Sequence, residues 1–95
     1  MNGWRFVFSR HAIERMFERS ISKDEVLAAI EYGEVIEEYP NDSPFPSVVK
    51  LARVGDRFLH VVIAEDAKKH MVYVITVYDP DPALWDEQLK KRRPR

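Results

Sequence analysis

The chain has no cysteine and only three glycines among its 95 residues, and it has no long apolar run. Without cysteine there is no disulfide framework, no thiolate nucleophile and no cysteine zinc site, so stability must come from packing. This also fits a reducing compartment. Three isolated glycines leave no Gly-rich phosphate loop. No stretch approaches the roughly 20 apolar residues of a membrane-spanning helix. MNGWRFVF carries one arginine and no long apolar core, so it does not read as a signal peptide. The expectation is one soluble, cytoplasmic domain over residues 1–90 with a basic tail, 91–95. A domain of this size buries roughly 60–65% of its unfolded surface.

The formal net charge is −1, which gives no overall pull toward nucleic acid. Its distribution is uneven. Residues 1–23 hold five Lys/Arg against two acids, residues 24–49 hold seven acids and no base, and residues 50–95 hold ten bases against seven acids. The closing KKRRPR reads as a solvated terminus that aids solubility.

The pattern along the chain predicts an α+β fold. WRFVF (4–8) reads as a short strand. Ser9 caps a helix reaching about Arg19, with Ile13, Met16 and Phe17 as its core-facing stripe. Ser22 and Glu25 form a capping box for a second helix, in which Val26, Leu27 and Ile30 are buried and Gly33 supplies a left-handed stop. EVIEEY (34–39) reads as a short edge strand. Residues 47–54, 57–65 and 70–78 read as an antiparallel three-strand meander, with Gly55-Asp56 as its first hairpin turn. Asp81 and Pro82 then open a short C-terminal helix through Leu89.

Period-two counting assigns Val49, Leu51, Leu59, Val61, Ile63, Tyr73, Ile75 and Val77 to the helix-facing side of the sheet. It places Lys50, Ala52, Phe58, His60, Val62, Val72, Val74, Thr76 and Tyr78 on the other. That second face is either a shallow groove or a surface covered by Trp85 and Leu89, with His60 as a packed histidine.

The first helix carries the sharper pattern. At about 100° per residue, His11, Arg15 and Arg19 fall on one ridge, opposite Ile13, Met16 and Phe17. Two guanidiniums one turn apart can fork onto phosphate oxygens. They can also pair with Glu14 and Glu18 along the helix. His11 and Glu14 form an isolated HxxE, short of a metal-binding pair of histidines, so no metal or cofactor is expected.

FSRHAIERMFERSISKDEVLAAIEYGEVIEEYP, with GDRFLHVVIAED and VYVITVYDPDPALW, resembles the domain-of-unknown-function family 4258. His11, Ala12, Arg15, Arg19, Ile21, Gly55 and the Ile75–Tyr78 strand fall on its pattern. The resemblance implies a RelE/BrnT-like fold, in which a two-helix hairpin packs on a small antiparallel sheet with a short C-terminal helix. It implies the toxin of a bacterial two-component toxin–antitoxin pair, partnered by a cognate antitoxin and acting on RNA, free or on the ribosome. A metal-independent endoribonuclease of this kind needs proton transfer, from His11 or His60, and cations on the phosphate, from Arg15, Arg19 and Lys50. Tyr78 takes the place of the late-sheet tyrosine of RelE-type ribonucleases, for orientation or acid work. The alternative is a non-catalytic protein-binding module of toxin-like fold, antitoxin-bound, gyrase-directed or inactive, which the near-neutral charge and acidic residues 24–42 favour.

Overall fold

Two serines start the two helices. In the computed structural model, which describes residues 3–94, Ser9 is extended and its hydroxyl accepts from the Ala12 N–H at 2.9 Å, opening α1, Arg10–Glu18. Ser22 opens α2, Lys23–Tyr32, through the expected capping box: its hydroxyl accepts from the Glu25 N–H at 3.0 Å, and the Glu25 carboxylate accepts from the Ser22 N–H at 2.9 Å. Between the helices, the Arg57 guanidinium donates to the carbonyls of Arg19 (3.1 Å) and Ser20 (2.7 Å) and to Glu25 (3.0 Å). It thereby satisfies carbonyls that the end of α1 leaves without helical donors.

Gly33 ends α2, but not by a left-handed turn. Its backbone is extended (φ −72°, ψ 155°). Glycine is required for space instead: a Cβ there would run into the Ala29 carbonyl oxygen and crowd the Leu51 carbonyl at 3.2 Å. The chain passes straight from the helix into a strand with no room for a side chain.

Among the described residues, five strands follow the order β1-β5-β4-β3-β2: β1 Arg5–Phe8, β2 Glu34–Tyr39, β3 Ser47–Val54, β4 Arg57–Asp66 and β5 Met71–Tyr78. β2 through β5 pair antiparallel, with Gly55 at φ +62° in the β3–β4 turn and β2 at one edge. The expected all-antiparallel sheet is corrected at β1, which pairs parallel to β5. That pairing joins the first strand to the last, and no local signal encodes it. Its register runs only from Arg5↔Met71 to Phe8↔Val74, so Ile75–Tyr78 has no strand on its outer side.

The face assignment holds for β4 and the end of β5 and is corrected for β3 and the first half of β5. The side chains that join the helices in the core are Ala52 of β3, Leu59, Val61 and Ile63 of β4, and Val72, Val74 and Val77 of β5, with Val48 and Val54 packed against them. Val49 and Leu51 are buried on the opposite side, where Leu51 pairs with His60. Two causes misled the count. Both parities of β3 are apolar, because both faces of the sheet are covered. In addition, β4 and β5 slip at a bulge, Val62 facing Thr76 while Ile63 faces Val74, which switches the parity of β5 at Ile75.

In α1 the buried residue is Ala12, and Met16 packs against the core, whereas Ile13 is 55% and Phe17 90% exposed. The helix is thus rotated from the expected setting. The His11/Arg15/Arg19 ridge lies on one flank of the buried line, and Ile13/Phe17 on the other.

No helix forms over Asp81–Leu89. After one turn in which Leu84 and Trp85 donate to the Asp81 carbonyl, the Asp86 carboxylate accepts from the N–H groups of Lys90 (3.0 Å) and Lys91 (3.4 Å). This local side-chain bonding competes with helical bonding. The chain folds back so that Trp85 bridges Arg92 and the Arg93 N–H donates to the Leu84 carbonyl at 2.8 Å. Lys90–Arg93 are therefore held against the body, and Lys90 also pairs with Glu34 at 3.2 Å. Met1, Asn2 and Arg95, the ends of the expected domain and tail, lie outside the described residues. Among the described residues, no helix is long and apolar enough to cross a membrane.

Candidate functional site

The half of β5 that β1 leaves uncovered is where the site forms. The Ser9 N–H donates to the Val74 carbonyl at 3.0 Å and its hydroxyl to the Ile75 carbonyl at 2.8 Å, so the start of α1 is pinned beside this open edge. The result is a cleft of about 430 Å³ with His11, Arg15 and Arg19 on the α1 wall, Thr76 and Tyr78 from β5, and Asp79, Asp81, Leu84 and Trp85 from the chain beyond. The helix ridge and Tyr78, far apart in sequence, line one cavity.

His11 is exposed and Arg15 half-buried. Arg15 pairs with Glu18 at 3.2 Å and Arg10 with Glu14 at 3.2 Å. Exposed helical pairs of this kind contribute about 0.3–0.5 kcal/mol, little enough for an anionic ligand to displace. No carboxylate among the described residues pairs with Arg19.

His60 lies behind Tyr78, fully buried. Its Nε2 lies 2.6 Å from the Leu89 carbonyl, which can only accept, so Nε2 carries the proton. Nδ1 of the neutral ring therefore accepts from the Tyr78 hydroxyl at 3.2 Å. Burial pushes the His60 pKa down, opposed by its bond to Leu89, and burial pushes the Tyr78 pKa up, opposed by Arg92. Both groups stay neutral at neutral pH. The Tyr78 proton is directed inward onto His60, and His60 holds Tyr78 without lining the cleft.

Lys50 is also elsewhere. It stands on the helix side of the sheet and donates to the Ile30 carbonyl at 2.6 Å, capping the end of α2. Of the six expected site residues, His11, Arg15, Arg19 and Tyr78 come together, and His60 and Lys50 do not join them. His70 lies at the other end of the sheet, stacked on Trp4.

Sequence reading missed Asp79, Asp81 and Leu84, and it named Thr76 and Trp85 only as part of the sheet face and its cover. Asp79 and Asp81 belong to DPDP, which reads locally as a sheet terminator; only the placement of α1 turns it into a cleft wall. One buried oxygen of Asp79 has no hydrogen-bond partner among the described residues. The lining sets two arginines against two aspartates, so with His11 neutral it is formally uncharged.

Burial of His60 makes stability depend on pH. Below its usual pKa of 6.5 the unfolded chain takes up a proton that the folded ring refuses. Stability is therefore full above 6.5 and is lost as pH falls from there toward the lowered folded value, by at most about 1.4 kcal/mol per pH unit. Urea unfolding followed from neutrality to about pH 5 should show this slope, and His60→Gln should flatten it. Glu25, held below its usual 4.5 mainly by the Ser22 N–H, acts in a separate, lower window. An unchanged slope in His60→Gln would assign the proton uptake to another group.

Comparison with known proteins gives one family. The model of a domain of unknown function, DUF4258, matches residues 8–79, a span that includes α1 and all of β5. No curated protein and no solved structure matches the chain.

Proposed function

The chain belongs to the DUF4258 family, and from that membership and the cleft we propose that it is the toxin of a bacterial toxin–antitoxin pair, a metal-independent endoribonuclease acting on mRNA. The observation that carries this reading is the convergence of His11, Arg15, Arg19 and Tyr78 on one cavity. Arg15 and Arg19 bind the scissile phosphate, and His11, the exposed imidazole, takes the proton of the ribose 2′-hydroxyl. The 2′-oxygen bonds to phosphorus, the bond from phosphorus to the 5′-oxygen breaks, and the imidazolium returns its proton to that oxygen. The products are a 2′,3′-cyclic phosphate and a 5′-hydroxyl. Tyr78, anchored by His60, offers a ring face against which a base can stack. A cognate antitoxin would inhibit by covering the cleft or pairing with the β2 edge.

The test is single-stranded RNA incubated with the protein in chelator, alongside induced expression in bacteria. Growth arrest together with cyclic-phosphate ends, absent when the 2′-hydroxyl is replaced by hydrogen, is the expected result. Arrest with intact transcripts would point to a second reading, a non-catalytic module that docks on protein. The exposed Ile13 and Phe17 and the uncharged cleft lining favour that reading. Intact RNA and normal growth would sink the toxin assignment.

A further inference from the structure

The cleft has cations but no net charge, yet a ligand rich in phosphate needs a positive path. Such a path continues on the C-terminal strap, residues 82–94. A second cleft of about 310 Å³ is lined by Ala83, Leu84, Arg92, Arg93 and Pro94, two arginines with no acid. Leu84, 58% exposed, lines both cavities. Trp85 links them as well: it lines the first cleft, and its ring carries the Arg92 guanidinium, which lines the second, at 4.7 Å.

These arginines are built into the surface. The main chain of the strap is closed by the Trp85–Arg92 bridge and by the Arg93 N–H on the Leu84 carbonyl. Arg93 Nε donates to the Pro82 carbonyl at 2.9 Å. That bond uses one of the five guanidinium donors and holds the charge in place, and neither arginine has a carboxylate partner among the described residues.

We propose that Arg92 and Arg93 form a second phosphate site, so that the ligand is a single-stranded RNA several nucleotides long, its backbone running from the Arg15/Arg19 ridge across Leu84 onto the strap. This rests on the reading of the first cleft as an RNA site. It makes the basic C-terminal residues part of the binding surface and excludes a mononucleotide or dinucleotide as the full ligand. The strap supplies the net positive charge, and the first cleft supplies the chemistry.

The experiment is fluorescence anisotropy of labelled oligouridylate, a dinucleotide against a dodecamer, over a series of salt concentrations. Wild type should bind the dodecamer far more tightly. Arg92→Gln/Arg93→Gln should lower the log–log salt slope by about 1.4, two single-strand phosphate contacts at about 0.7 each. It should weaken dodecamer binding roughly 10- to 30-fold near 0.1 M salt and leave dinucleotide binding unchanged. Arg92→Lys/Arg93→Lys, which keeps the charge, should retain the wild-type slope, and this separates lost phosphate contacts from a disturbed strap. A loss of slope in the lysine variant equal to that in the glutamine variant would overturn the proposal. So would a glutamine variant that matches wild type, although the first cleft would then stand as an RNA site. Wild type showing no salt-dependent RNA binding would remove both.

Discussion

Arg15→Ala should lower single-turnover RNA cleavage by about 10²–10³-fold, the usual consequence of deleting one donor to a transition-state anion, while the fold keeps its stability. Arg15 is half-buried, and its side-chain partner is Glu18, an exposed pair at 3.2 Å. Losing that pair costs a few tenths of a kcal/mol, and Met16 and Ala12 still hold α1 on the core. Arg15→Lys should recover only part of the rate, because an ammonium is a point charge without the planar fork. His11→Ala should fall by about 10²–10⁴-fold, again with little change in stability, since His11 is exposed. Cleavage rates measured beside thermal unfolding check all three variants. A variant that cleaves like wild type would place the chemistry outside this cleft.

Trp85→Ala should produce the largest change in stability near the site, about 3–5 kcal/mol. Trp85 is 2% exposed, its ring meets His60 edge-on at 4.4 Å, and it carries Arg92 at 4.7 Å. No other large apolar side chain of residues 82–94 is buried, so the loss should appear first as release of the strap. Trypsin should then cut after Lys90, Lys91 and Arg92 well before the sheet unfolds. His60 would gain water, its pKa would climb back toward 6.5, and the pH dependence of stability would weaken with it. Limited proteolysis and urea unfolding at two pH values measure these effects. A Trp85→Ala strap as resistant to trypsin as wild type would show that the bonds of Asp86 and Arg93 suffice without the indole.

Where sequence reading succeeded, the signal was local and had one physical meaning. Ser9 and the Ser22/Glu25 box can start helices in only one way, and both did so. Gly55-Asp56 joined β3 to β4. The ridge of His11, Arg15 and Arg19 follows from helical geometry alone. Gly33 shows the limit of this approach: glycine was required there by steric space rather than by a left-handed φ, and the two causes look identical in a sequence. The C-terminal segment shows another. Asp81-Pro82 does begin a helical turn, but Asp86 captures the backbone that would continue it, and Trp85 is drawn onto the sheet.

For the site, the sequence by itself determined residue type and helical face: a histidine and two arginines along one side of α1, and a tyrosine at the end of β5. The tertiary structure decided that they meet. β1 pairs in parallel with only the first half of β5, which leaves the second half open for α1 to lie beside. The tertiary structure also sent Lys50 to the helix side, through apolar residues on both parities of β3 that hide which face is which, and it buried His60 against Trp85 and the Leu89 carbonyl. The physical reason is that caps, turns and helical periods act over a few residues. Strand register and the pairing of the first strand with the last are set by burial summed over the whole sheet.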